Sequence, residues 1–387
     1  MKSKTTERKK LRASTKKKIG ILSVLFVLFI LMCLFYDKLP NQQKGWIVPI
    51  CYNVILAVSL NVTVGILGEL SLGHAGFMCV GAFAGAFVVK LFSIIAPEVS
   101  FWWVYLIAFT AAAVLAALFG LLIGIPVLRL KGDYLAIVTL AFGEIVKSLF
   151  QNSSSSSFGG AIGLSTPRFD KNTLFIYGFL LVLATLAVIQ NLMRSNHGRA
   201  ITAIRDNEIA ARATGINVTK YKLMAFTISA FFAGIAGVLY SFSNYNVESA
   251  KFGYNYSIEI LVMVVLGGMG SINGSIIAAT LITFLNAKLA TVLTGDLAVL
   301  QNLFYALILI IIVIYNNAPA LKGFRERYNF RSLFARFGSG KHDPAKVADD
   351  RADWDKVPTK IKMDELLSID PAKVDPYKPD EPKKGDK

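Results

Sequence analysis

The side chains of this chain that could do chemistry stand at breaks in long apolar runs. Asn61, Thr63, Glu69, Ser71 and His74 interrupt one run, in LNVTVGILGELSLGHAGFM (60–78). Tyr134, Thr139 and Glu144 lie in LRLKGDYLAIVTLAFGEIVK (128–147), and Ser271 and Asn273 lie in LGGMGSINGS (266–275). Small hydroxyls, amides and isolated carboxylates in such surroundings suit the passage of a solute. Glu144 stands as the one acid well inside an apolar run, where an ionisable group is a functional candidate by default. Its competing explanation is structural, because Lys147 at i+3 shares its helix face and can pair with it. Bond-breaking chemistry is not expected. No Ser/His/Asp set or H-E-x-x-H motif is present, and His197 and His342 sit in charged segments without a ligand cluster, so His74 is not expected to hold a metal. A P-loop needs G-x-x-x-x-G-K-[ST] to cradle phosphates. The nearest look-alike, ARFGSGKH (335–342), has Ala335 and His342 at two defining positions. The expectation is therefore no enzyme, no cofactor and no metal.

These residues must be positioned by helices in lipid. Hydrophobic side chains make up 54% of the 387 residues and charged ones 17%, yet the net charge is +16. A soluble domain carries about 25% charged residues, so much of this chain has a different solvent. A spanning helix needs about 20 apolar residues. Apolar runs occur at 19–36, 47–67, 72–92, 101–128, 134–150, 173–193, 223–242, 258–269, 274–293 and 299–315. The pattern predicts an all-α, polytopic transmembrane bundle of about ten spans with some broken or re-entrant helices. Basic residues set its orientation. The first 18 residues carry nine Lys/Arg and one Glu, and further basic residues collect at 129–133, at 194–222 and after Pro319. Placing these four regions inside gives an N-in/C-in topology. Reading 258–293 as one crossing would put the basic tail outside, so two crossings, or an equivalent re-entrant pair, are expected there. No small-residue cleavage site follows the first run, which reads as a retained span. The basic N-terminus reads as a topology signal attracted to anionic lipid rather than a nucleic-acid site.

The domain reading is a basic N-terminus at 1–18, a transmembrane domain at 19–318 and a tail at 319–387. The tail is rich in Asp, Lys and Pro and is expected to be largely disordered. Cys33, Cys51 and Cys79 lie in apolar runs without metal or disulfide spacing, as small buried hydrophobes do. The connection 194–222 is long for a bundle. Its residues 199–214 lack Pro and Gly, predicting one helix that ends at Gly215. Ile201, Ile204 and Ala211 form a narrow apolar stripe flanked by Arg199, Arg205 and Arg212. That stripe suits either the anionic leaflet or a groove on a partner.

Five segments together carry a resemblance: LSLGHAGFM (70–78), LRLKGDYLAIVTLAFGEIV (128–146), GRAITAIRDNEIAARATGI (198–216), ISAFFAGIAGVLY (228–240) and LGGMGSINGS (266–275). In this order, across about 45–318, they resemble the branched-chain amino acid permease family of ABC importers, in particular the subunit type of the leucine, isoleucine and valine importer. The resemblance implies that 194–222 contains a coupling helix for an ATPase subunit. Its E-A-A-x-x-x-G pattern appears loosely as Glu208, Ala210, Ala211 and Gly215, with one residue inserted after the Glu. It further implies a second permease subunit as heterodimer partner, two ATP-binding cassette ATPases, an external solute-binding protein and a bacterial or archaeal cell membrane. The implied solute is a branched-chain or similar hydrophobic amino acid. A urea, amide or other amino-acid permease of the same family stays open, as does a secondary transporter.

Overall fold

The computed structural model describes residues 40–95, 101–130, 132–154, 158–166, 169, 171–292, 306–307 and 310. The expected first span, nearly all of the tenth, the basic N-terminus and the C-terminal tail lie outside the described residues. The helices are α1 (Asn41–Asn61), continued by a π-helical turn (Val62–Leu67), α2 (His74–Ile95), α3 (Phe101–Val127), α4 (Asp133–Gln151) and α5 (Lys171–Arg194). They continue with α6 (Asn196–Asp206), α7 (Glu208–Ala213), α8 (Val218–Ser243), α9 (Tyr254–Gly267) and α10 (Ile272–Val292). Strands β1 (Leu164–Ser165) and β2 (Asn246–Val247) pair antiparallel, with Leu164 opposite Val247. A 3-10 turn at Ser249–Phe252 leads into α9.

Among the described residues, 6 helices are long and apolar enough to cross a membrane: Gln43–Leu67, His74–Ile95, Trp103–Val127, Thr173–Arg194, Val218–Ser243 and Ile272–Val292. Two elements depart from the expected spans for physical reasons. Helix α4 carries Asp133, Glu144 and Lys147, which lower its apolar character. Helix α9 has 14 residues. At 1.5 Å per residue that is roughly 21 Å, short of a hydrocarbon core of about 30 Å. Because α9 begins at Tyr254, Glu259 is a second carboxylate within an apolar helix, and it accepts a hydrogen bond from Asn286 Nδ2 at 3.2 Å.

Helix α1 is the axis of the bundle. It is apolar all round, as a fully surrounded helix must be, and 94% of its apolar length is buried, against 28% for Ile272–Val292. The outer faces of the peripheral helices present Leu106, Leu122, Ile145, Leu180 and Ile277, which a lipid solvent accommodates and water does not. Helices α2 and α8 approach through small residues. A β-carbon on Gly81 would stand 2.3 Å from the Gly234 carbonyl oxygen, and one on Gly237 would stand 2.2 Å from that of Met78. The segment ISAFFAGIAGVLY is thus a helix-packing face, where small side chains let backbones make van der Waals contact. Cys51 and Cys79 are buried free thiols.

Candidate functional site

The two glycine-rich interruptions, separate in the sequence, form one structure. At the first, α1 widens into the π-helical turn and stops at Gly68, whose φ of +82° suits glycine. The Thr63 carbonyl takes both the Gly68 and Glu69 N–H groups, and the chain then runs without helix until His74. At the second, α9 and α10 join through a hairpin tip with positive φ at Gly268 and Gly270. A β-carbon on Gly274 would lie 1.7 Å from the Gly267 carbonyl oxygen, so only glycine closes this hairpin. Asn61, fully buried at the end of α1, clamps the two together. Its Oδ1 accepts from the Gly270 N–H at 2.8 Å, and its Nδ2 donates to Ser275 Oγ at 3.0 Å. Gly65 makes room, since a β-carbon there would lie 2.2 Å from the Gly270 nitrogen.

The other residues singled out from the sequence separate into distinct roles. Thr63 is buried and donates to the Leu60 carbonyl, and Ser71 is buried beside the same turn. His74 is buried with Nε2 2.9 Å from Ser59 Oγ, and the Ser59 carbonyl accepts from Ser229 Oγ at 2.7 Å. That arrangement ties α1, α2 and α8 together. No group of His, Cys, Asp and Glu able to hold a metal occurs among the described residues. Thr139, on α4, accepts the Leu72 N–H at 3.0 Å and so fixes the segment after the π-helical turn. Tyr134 is exposed and apart from the cluster. Ser271 caps α10 by accepting the Gly274 N–H at 3.2 Å, and Asn273 is exposed beside it at the tip. The buried hydroxyl that contacts the clamp is Ser275, which the sequence reading passed over.

Glu144 has a structural occupation. One oxygen accepts from Lys147 Nζ at 2.6 Å and the other from the Tyr254 N–H at 2.7 Å, so the carboxylate sits on the positive N-terminal end of α9. A second polar group escaped the sequence reading. Asn53 on α1 donates to Thr283 Oγ1 at 2.9 Å and accepts from the Tyr256 hydroxyl at 2.7 Å. Only the packing of α1, α9 and α10 unites residues so far apart in the chain.

The segment 194–222 is two helices, not the one expected. Asn207 is extended at φ −157° and its side chain accepts the Ala210 N–H, starting α7 afresh. An Asn side chain competes for backbone N–H groups in this way. Helix α7 ends in a Schellman turn, with Gly215 at φ +85° and the Ile216 N–H on the Ala211 carbonyl. The apolar stripe Ile201, Ile204 and Ala211 is buried within this same chain. The outer face instead presents Ala210, Arg212 and Ile209, the last 82% exposed. Arg199 pairs locally with the Asn196 side chain.

Two connections run from this segment to the clamp. Lys222 Nζ, on α8 and almost fully buried, lies 2.5 Å from Glu69 Oε1 and 3.3 Å from Glu208 Oε2, and Glu208 also pairs with Arg212 at 3.0 Å. Arg205 Nη1 donates to the Gly65 carbonyl at 3.2 Å. Glu69, expected on a solute path, and Glu208, expected on a coupling helix, are therefore bridged by Lys222.

A helical bundle rich in long apolar helices, with glycine-broken helices bonded to the helix pair α6–α7, has the character of a multi-pass membrane protein. A family model described as branched-chain amino acid transport system / permease component matches residues 44–314, and the chain belongs to that family. It is 39% identical over 261 residues to the high-affinity branched-chain amino acid transport system permease protein LivM of Salmonella typhimurium, a match covering 59% of each chain. The LivM protein of Escherichia coli is likewise 39% identical, with 59% of each chain covered. The family is broader than these: the ribose import permease protein RbsC of Escherichia coli is 27% identical, with 68% of this chain and 82% of that protein covered. Among solved structures, PsaBC from Streptococcus pneumoniae in complex with Fab aligns at a TM-score of 0.41 and 14% identity, covering 77% of this chain and 98% of that one.

Proposed function

We propose that this chain is the membrane-spanning subunit of an ATP-driven importer of branched-chain or similar hydrophobic amino acids in a bacterial or archaeal cell membrane. Residues 19–318 form the permease domain, with the N-terminus and the 319–387 tail on the cytoplasmic side. The observation that carries the reading is the helix pair α6–α7. Its inner face is bonded to the first glycine-rich break, directly from Arg205 to the Gly65 carbonyl and from Glu208 by way of Lys222 to Glu69, and its outer face offers a bare apolar knob, Ile209, beside Arg212. An exposed isoleucine near an arginine on a short helix is suited to a groove of a partner protein. That partner is an ATP-binding cassette ATPase, one of a pair, and a second, related permease subunit completes the membrane unit.

In this reading an external binding protein selects the solute and delivers it to the path. The path needs only weak contacts, such as a few small polar groups in an apolar wall supply. ATP binding closes the ATPase pair and moves α6–α7. The motion passes through Glu208, Lys222 and Glu69, and through Arg205, to the clamped breaks, so that the bundle alternates between outward- and inward-facing states. The test is uptake into proteoliposomes containing this chain, its partner permease and both ATPases, with the cognate binding protein outside. Leucine, isoleucine or valine is expected to accumulate only with ATP inside the ATPase compartment. Ribose or urea uptake without leucine uptake would move the solute class, and accumulation that collapses with a protonophore but survives removal of the ATPases would replace the mechanism with secondary transport.

A further inference from the structure

Arg205 flanks a stripe expected to suit the anionic leaflet or a groove on a partner, but its Nη1 donates to the backbone of this same chain. Two helices end near one another: α1, through its π-helical turn at Leu67, and α9 at Gly267, with Asn61 of the first bonded to the Gly270 N–H after the second. Helix C-termini carry partial negative charge, which a cation stabilises. The π-helical turn also frees an acceptor. In an α-helix the Glu69 N–H would bond to the Gly65 carbonyl; here it bonds to Thr63, and Gly65 accepts from Arg205 Nη1 at 3.2 Å instead.

Glycine at position 68 makes room for the Arg205 side chain. A β-carbon on Gly68 would stand 2.8 Å from Arg205 Cγ, so the side chain's stem lies directly on that backbone. A β-carbon on Gly270 would stand 3.2 Å from the Gly65 oxygen and 3.5 Å from Arg205 Nη1. Gly65, Gly270 and the guanidinium thus meet at one point. Asp206 Oδ1 accepts from Nε at 3.2 Å and from Nη2 at 3.0 Å, orienting the fork so that Nη1 faces Gly65. Both Arg205 and Asp206 ride on the last turn of α6, which is anchored by buried Ile201 and Ile204. A displacement of α6 therefore carries the guanidinium with it.

We propose that Arg205 is a positioning residue of the inner gate. It braces the π-helical turn Val62–Leu67 at Gly65, beside the junction that Asn61 closes with the α9–α10 tip, and its withdrawal with α6 loosens that junction. The proposal rests on the permease reading above, and it separates Arg205 from the docking surface on which Ile209 and Arg212 lie.

The experiment compares wild type with R205Q, R205K and D206N in the complete complex in proteoliposomes. It measures retention of the ATPase subunits, ATP hydrolysis and solute taken up per ATP. A gate residue predicts that R205Q keeps the ATPases bound and hydrolysing while uptake per ATP falls by about tenfold, within the usual range of coupling between sites. R205K, which keeps a cation at the two helix ends, is expected to recover part of that loss. D206N, on an exposed side chain whose replacement spares the core, is expected to show a smaller defect of the same kind. Loss of the ATPases from the R205Q and D206N complexes would make the pair a docking element and overturn the proposal, as would unchanged uptake per ATP in both. Wild-type uptake in the same vesicles tests the permease reading separately, so a defect confined to the variants speaks to Arg205 alone.

Discussion

Lys222 and Glu69 stand 153 residues apart in the chain and 2.5 Å apart in space, and the same ammonium reaches Glu208 at 3.3 Å. One buried cation thereby joins three elements: the segment after the π-helical turn, the short helix α7 and the start of α8. Removing one member of a buried ion pair strands the other charge in a low-dielectric setting. That loss is worth about 3–5 kcal/mol, far more than an exposed pair would be worth.

K222M is therefore expected to lower the thermal midpoint of the purified complex markedly and to abolish uptake, since Glu69 would lose its cation and Glu208 would keep only the exposed Arg212. E69Q, which leaves Lys222 paired with Glu208, is expected to be milder in both. Melting curves in detergent, followed by gel filtration, distinguish the two. Equal midpoints for K222M and wild type would show that the network carries no load.

The glycine clamp predicts a sharp contrast between positions. G65A puts a methyl group 1.8 Å from Asn61 Oδ1 and 2.2 Å from the Gly270 nitrogen, whereas a β-carbon on Gly45 meets nothing within 4 Å. The first is expected to abolish uptake and the second to leave it unchanged. Uptake rates for the two variants at matched membrane levels test this directly, and a fully active G65A would mean that the clamp does not close during transport.

Ile209 is 82% exposed, so I209D removes no buried contact and is expected to leave folding within about 0.5 kcal/mol of wild type. Its expected effect is on assembly. Co-purification of the ATPase subunit should fall while the permease itself elutes and melts normally. Undiminished co-purification would show that the partner does not use this face.

Glu144 discriminates an ATP-driven from a proton-coupled mechanism. As a partner of Lys147 and a cap on α9, it is replaceable by an amide that still accepts from the Tyr254 N–H. E144Q is expected to cost about 1 kcal/mol of stability and to leave ATP-driven uptake within tenfold of wild type. A variant inactive in uptake but normal in stability and assembly would return Glu144 to the transport chemistry.

Much of this molecule follows from local sequence. Helix positions are legible because an apolar run long enough for a bilayer can satisfy its backbone only as a helix. The described helices from α1 to α10 coincide with the expected runs, with the coupling segment between the sixth and seventh. Gly215 ends α7 as expected because a left-handed terminus needs glycine, while Asn207 split the helix because its side chain captured a backbone N–H that the periodicity assigned elsewhere. The breaks at 60–78 and 266–275 were visible too, as polar residues and glycines in apolar surroundings.

The pairing of those features was not visible. That Asn61 bonds Gly270, that Lys222 joins Glu69 to Glu208, and that Arg205 faces Gly65 rather than a partner depend on how α1, α6, α8 and the α9–α10 hairpin pack. The same packing enlisted Ser275, Asn53, Tyr256 and Thr283, whose partners lie far away in the sequence. Hydropathy and backbone preference act over a few residues and leave their mark on the chain itself. A hydrogen bond between side chains 200 positions apart leaves none, and only close-packed helices, brought within reach by glycine, decide which polar groups meet.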